Sequence, residues 1–153
     1  MTITVQVNQA SLAAATERIA KSLEDAKGAV QQKMASVFRD CVFANFGGAE
    51  RFVVAPYAPL SPSYARKVGR SYATLEVSGK LKGAIYTGIS DDGAATVSVD
   101  NATVPYATIH QRGGRNMPAR PYFPVLEDGT VLPEVEEMVI QAAREELQRI
   151  LSE

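Results

Sequence analysis

Leu12, Ile19, Leu23, Ala26, Val30, Met34, Val37 and Cys41 recur at spacings of three, four or seven residues. A row with that period winds onto one side of an α-helix. A stripe this long predicts a long amphipathic helix, and such a helix needs a surface to bury its apolar side, so it constrains the rest of the fold. Phe38, Val42, Phe43 and Phe46 widen the stripe near its end. Gly47-Gly48 then supply a stop, because glycine takes up left-handed backbone angles at little steric cost. Gly28, inside the stripe, costs about 1 kcal/mol relative to alanine and predicts a bend or break. Ahead of the helix, alternation over Thr2–Val7 predicts a short strand, and Asn8 reads as a cap.

Three prolines in VAPYAPLSP, residues 54–62, predict an extended connection, since proline lacks a donor N–H and turns the preceding residue away from helix. Ser61 and Pro62 read as N-cap and first residue of a short helix that closes at Gly69. A second short amphipathic segment, LEVSGKLKGAI, runs around Leu75, Leu81 and Ile85. AIYTGIS and AATVSVD, joined by Asp91-Asp92-Gly93, predict an antiparallel hairpin. Pro133 with Glu134, Glu136 and Glu137 has the chemistry of a first helical turn, and Leu132, Val135, Val139, Ala143, Leu147 and Ile150 then form one face of a terminal helix. This order predicts an α+β fold, with a long N-terminal helix and a C-terminal helix packed on a small, mainly antiparallel sheet. The chain reads as one domain over residues 1–153: a helical region 1–48, short helices, hairpin and docking loop over 49–132, and the last helix over 133–153.

At 46% hydrophobic and 22% charged, the chain can bury a core, and its single cysteine, Cys41, can form neither an intrachain disulfide nor a cysteine-built metal site. The opening MTITVQVNQ lacks the pattern of a secretory leader, and no apolar run approaches the ~18 residues of a membrane span. A soluble protein of the cytoplasm is therefore expected, with no membrane partner. The net charge of −1 hides a division. Arg51, Arg66, Lys67, Arg70, Lys80 and Lys82 face one acid, Glu76, between residues 51 and 90. From residue 126 on, Glu127, Asp128, Glu134, Glu136, Glu137, Glu145, Glu146 and Glu153 are opposed only by Arg144 and Arg149. Such a molecule can attract copies of itself head to tail; the alternative is a set of solvated faces with no partner.

YATIHQRGGRNMPARPYFPV, residues 106–125, concentrates the only histidine, three arginines and three prolines. His110 could act as a general base, yet no nucleophile elbow, zinc-protease signature, phosphate loop or dinucleotide fingerprint accompanies it. The alternative for His110 is a side chain hydrogen-bonded to backbone at a turn. Arg112, Arg115 and Arg120 could reach phosphates, with Tyr106, Tyr122 and Phe123 available for stacking, but the net charge is slightly negative where a dedicated binder is basic. The third reading is docking. Gly113 and Gly114 loosen a tip, and Pro118, Pro121 and Pro124 stiffen its sequel. Arg112, Arg115, Arg120 and Tyr122 are residue types that interfaces favour. For Phe123, filling the domain's own core is the preferred reading. Arg112, Gly113, Gly114, Arg115, Arg120 and Tyr122 are the candidate interface; the chain offers no candidate catalytic, cofactor-binding or metal-binding set.

The same residues carry a resemblance. YAPLSPSYARKVG, LEVSGKLKGAI, YATIHQRGG and MPARPYFPV, in this order, resemble the phage virion morphogenesis family, the tail completion proteins of tailed phages and prophages. Tyr57, Pro59, Leu60 and Ser61 fall on its aromatic-Pro-Leu-Ser motif, with Tyr57 where tryptophan is more usual. Ser78, Gly79 and Leu81 fall on the second motif, and Tyr106, Ala107, His110, Gln111 and Gly113 on the third. Pro118, Ala119, Arg120, Pro121 and Phe123 fall on the fourth. Arg112 stands where an aromatic usually follows His-Gln. The resemblance implies a structural, non-enzymatic virion protein at the head–tail junction, assembled in the host bacterial cytoplasm as a homo-oligomeric ring that contacts other neck, tail or connector proteins. A DNA-contacting neck adaptor in the same particle is the alternative.

Overall fold

The computed structural model describes residues 9–73 and 75–152. The expected strand over Thr2–Val7 and the cap at Asn8 lie outside them. Helix α1, Gln9–Phe43, is followed by α2, Pro62–Val68, and α3, Lys80–Gly83. Strands β1, Ile85–Ile89, and β2, Ala95–Val99, come next, then α4, Ala107–Arg112, and α5, Pro133–Leu151. The architecture is α+β, with α1 and α5 packed together and the hairpin laid on α1.

Helix α1 continues unbroken through Gly28, so the expected break is not found. A longer helix gains one hydrogen bond per residue added, which outweighs a single glycine. Its apolar stripe is only half used. Residues 13–25 are all exposed, and burial begins at Ala26 and deepens toward Val42. Helix α1 ends at Phe43, before Gly47 and Gly48, whose positive φ angles of 72° and 85° turn the chain back.

Strands β1 and β2 pair antiparallel, with Ile85 opposite Val99 and Ile89 opposite Ala95, and Gly93 occupies the turn at φ 83°. One core cluster joins α1 to this hairpin through Val42, Phe46, Leu81, Ile85, Val104, Ala107 and Tyr122. A second joins α1 to α5 through Cys41, Phe52 and Val135, with Phe38 packed against both. Each large buried side chain here contributes roughly 1.5–3 kcal/mol of transfer free energy. Cys41 is one of these buried groups, and burial first, then the neighbouring Asp40, pushes its thiol pKa up. That makes it an inert packing residue.

Ser61 caps α2 by accepting from the Tyr64 N–H at 3.4 Å, and Gly69 ends it at φ 71°. The segment around Leu75 is less helical than its pattern implies. Leu75 itself sits at φ 57° and only four residues form α3. The inner face of α5 also departs from expectation, because Ala142 is buried whereas Leu147 remains 44% exposed.

Candidate functional site

The first, third and fourth sequence motifs are tied to one another by hydrogen bonds to backbone, and the second joins them through Leu81 in the core. Gln111 is the hub of the third motif: its Oε1 accepts from the Tyr122 and Phe123 N–H groups at 3.0 and 2.9 Å, and its Nε2 donates to the Phe123 carbonyl at 3.3 Å. Arg120 ties the fourth motif to the first. Its Nε donates to the Ala58 carbonyl at 3.1 Å and its Nη2 to the Pro59 carbonyl at 3.2 Å. The Tyr57 hydroxyl returns the connection by donating to the Pro121 carbonyl at 3.1 Å. Proline-rich strands cannot pair in a sheet, so side chains from the motifs supply the bonds that a ladder would otherwise make. Burial and, second, the Glu50 charge push the Tyr57 hydroxyl pKa upward, and burial pushes that of Tyr122 up to about 12.

This bonding corrects two expectations. Arg120 is 6% exposed and Tyr122 is 1% exposed, so neither side chain belongs to the surface of the subunit. A guanidinium with five donors is costly to leave dry, and the carbonyls of a proline-rich segment are acceptors without a donor of their own; the two needs cancel. Tyr122 fills the core edge-on to Phe46, with ring centroids 5.7 Å apart, and Phe123 packs beside it. Sequence reading also passed over Asn45. It is fully buried, its Nδ2 donates to the Phe52 and Tyr122 carbonyls at 2.9 and 3.0 Å, and its Oδ1 accepts from the Phe52 N–H at 2.7 Å. Its only signal in the sequence is a polar residue between Phe43 and Phe46, in the turn that follows α1.

Above these clamps opens a cleft of about 710 Å³. Pro59, Leu60 and Ser61 come from the first motif, Ser78, Gly79 and Leu81 from the second, Tyr106 and His110 from the third, and Pro118 and Arg120 from the fourth. Tyr64, Leu75, Val77 and Met117 add apolar wall, while Arg70 and Lys80 add positive charge; among the described residues no aspartate or glutamate lines it. The volume falls within the range of ligand and peptide pockets. Buried Arg70 Nε and His110 Nδ1 have no hydrogen-bond partner among the described residues, which leaves polar capacity in the cleft wall unused.

The segment around His110 is not a loop throughout, since residues 107–112 form α4. Among the described residues His110 makes no bond to backbone through its ring either. Its main-chain carbonyl accepts from the Arg120 N–H at 2.7 Å, and its ring stands edge-on to Tyr106 at 5.6 Å. Burial first, and the Arg120 charge second, hold its pKa below the ordinary value, so the imidazole is neutral at pH 7. No carboxylate in the cleft orients it, and no group of three or more potential metal ligands occurs among the described residues.

Arg112 and Arg115 are exposed. Gly113, at φ 81°, turns the chain out of α4, and a pair of bonds between Gly114 and Met117 closes a tight turn with Arg115 at its tip. The Gly113 position is closed to a side chain, because a Cβ there would lie 3.0 Å from the Ala119 nitrogen.

The class so defined is an α+β domain whose recurring motifs build a basic, apolar cleft beneath an arginine turn. The sequence profile of the phage virion morphogenesis family matches residues 7–148 of the 153, and the chain belongs to that family. Its role is accordingly in making the virion. No helix among the described residues is long and apolar enough to cross a membrane. No curated protein and no solved structure gives a significant match.

Proposed function

We propose that this protein is a structural component of the head–tail junction, completing the tail or joining it to the head as a ring of identical subunits assembled in the host cytoplasm. In this reading it makes no bond and breaks none. The observation that carries it is the cleft itself: every family motif lines it or braces it, and its charged groups are all cationic. A surface of that kind suits an acidic, apolar segment of a neighbouring subunit or of an adjoining neck, tail or connector protein. Arg112 and Arg115 stand beside it as exposed cations for the same partner.

The test is charge reversal at the exposed pair. Arg112→Glu with Arg115→Glu should leave thermal unfolding unchanged while lowering assembly mass by light scattering and the yield of infectious particles. Unchanged mass and yield would defeat the proposal. A DNA-contacting neck adaptor is the second reading, supported by Arg66, Lys67, Lys80, Arg112 and Arg115 all being exposed cations. It requires binding to duplex DNA that falls steeply as salt rises, because phosphate contacts release counterions.

A further inference from the structure

Residues 13–25 of α1 are exposed along their whole length, including Ile19 at 62% and Leu23 at 65%. This stretch extends about 20 Å at 1.5 Å per residue, and isolated helices of about 12–15 residues are marginal in water. The hydrophobic seam also changes register between arm and body. Thr16, Ile19, Leu23, Ala26 and Val30 alternate three and four residues apart, the period of a coiled-coil seam. From Val30 to Met34 a second step of four follows directly, a stutter that rotates the apolar face just where burial against the body develops. The arm therefore carries a seam of its own, flanked by Ala15, Ala20 and Ser22, with Glu17, Arg18, Lys21, Glu24 and Asp25 turned away from it.

A second exposed seam runs along α5. Ile140 and Leu147 are 41% and 44% exposed, Leu151 is 77% exposed, and Arg144 lies between them, giving spacings of four, three and four. This row lies on a different side of α5 from the buried Val135 and Ala142. Glu136, Glu137, Ile140 and Arg144 line a shallow groove of about 770 Å³ whose far wall is Lys33 and Val37 of α1.

The two seams match in one arrangement. Laid antiparallel, Leu23 meets Ile140, Ile19 meets the aliphatic stem of Arg144, and Thr16 meets Leu147. In the same register Lys27, the one charge beside the arm's seam, comes level with the acidic pair Glu136 and Glu137, with Glu137 on its own flank. Pairing an arm with another arm gives Lys27 no such acid and leaves the α5 seam bare. We propose that residues 13–27 of α1 in one copy lie antiparallel along the Glu136–Leu151 face of α5 in the next. The contact joins two different surfaces, so every copy gives an arm and receives one, which is the geometry of a closed ring or an open filament. The inference rests on the homo-oligomeric reading above and names its subunit contact, leaving the cleft free for an adjoining component.

Cysteine cross-linking of the full chain tests it. Leu23→Cys and Ile140→Cys both replace exposed side chains, and native Cys41 is 2% exposed and does not compete. Circular dichroism of each reduced variant, matching the parent, checks that the fold is kept. Mild oxidation of the two single variants mixed together should give a covalent dimer that neither gives alone, and the double variant should give a ladder of multimers. Lys27→Glu should lower the yield about threefold, the scale of one exposed ion pair, and adding Glu137→Lys should restore it. A dimer from Leu23→Cys alone would mean that arms pair with arms and would overturn the proposal. Absence of any cross-link also overturns it, and light scattering of the parent then separates the cases: a multimer means that the ring stands on other faces, whereas a monomer removes the ring reading as well.

Discussion

The Nε–H of Arg120 donates to the main-chain carbonyl of Ala58, 62 residues earlier in the chain, at 3.1 Å. A second guanidinium nitrogen reaches the Pro59 carbonyl at 3.2 Å, so one side chain anchors the proline-rich connection to the segment after α4. Because Arg120 is buried, removing it leaves two carbonyls without donors. Arg120→Ala is expected to lower stability by about 2–4 kcal/mol, from unmet acceptors at about 1–3 kcal/mol each with partial relaxation. Arg120→Lys keeps the charge but lacks the planar fork, and should recover less than half of that loss. Urea denaturation monitored by circular dichroism measures both.

Asn45 is the corresponding clamp at the end of α1. It serves one donor and two acceptors of Phe52 and Tyr122, all buried with it. Asn45→Ala should cost about 2–4 kcal/mol, on the same scale of orphaned buried groups. Asn45→Asp is the sharper test. A carboxylate can still accept from the Phe52 N–H but cannot donate to the two carbonyls, and it brings a charge into a dry site. Its instability should therefore exceed that of Asn45→Ala at pH 7 and shrink as the pH falls toward the carboxylate range, read as denaturation midpoints across pH.

Local chemistry with a short reach was legible in the sequence. Ser61-Pro62 opens α2, Gly93 turns the hairpin, and Pro133 opens α5 as their residue types dictate. What stayed hidden depends on distant partners. Arg120 and Tyr122 look like interface residues in isolation, and only the acceptors of Ala58 and the space beside Phe46 draw them inside. Periodicity located the stripe on α1 without revealing where it would be covered, since Ile19 and Leu23 look the same in the sequence as the buried Val42. The motifs were legible as a constellation, but their internal bonding required knowing that Gln111 reaches Tyr122 and Phe123.

His110 makes stability sensitive to mild acid. In the unfolded chain its imidazole titrates near 6.5, whereas in the fold burial and the Arg120 charge hold the value lower. Below about pH 6.5 the unfolded chain therefore gains a proton that the folded chain resists, and stability declines as pH drops toward the folded value. Above that range the contribution is complete and flat. His110→Asn should remove this component of the acid dependence in thermal melts between pH 7.5 and 5.5. The same variant should still support infectious particles, since a side chain that only shapes the cleft wall has no proton to carry.

Gly28 and Gly113 should respond in opposite directions to alanine. Gly28 lies inside the unbroken α1, half-buried, with nothing within 4 Å of the position a Cβ would take. Gly28→Ala therefore adds helix propensity without a clash and should raise stability by about 0.5–1 kcal/mol. Gly113 holds a φ of 81°, and a Cβ there would meet the Ala119 nitrogen at 3.0 Å and the Met117 carbonyl at 3.3 Å. Both contacts are backbone, so neither can swing away. Gly113→Ala should destabilise by about 1–3 kcal/mol, the scale of a strained backbone position. Because the turn it opens carries Arg115, assembly should fall in the same variant even under conditions where the subunit stays folded. A Gly113→Ala protein that melts with the parent and assembles equally well would mean that the turn is neither strained nor used.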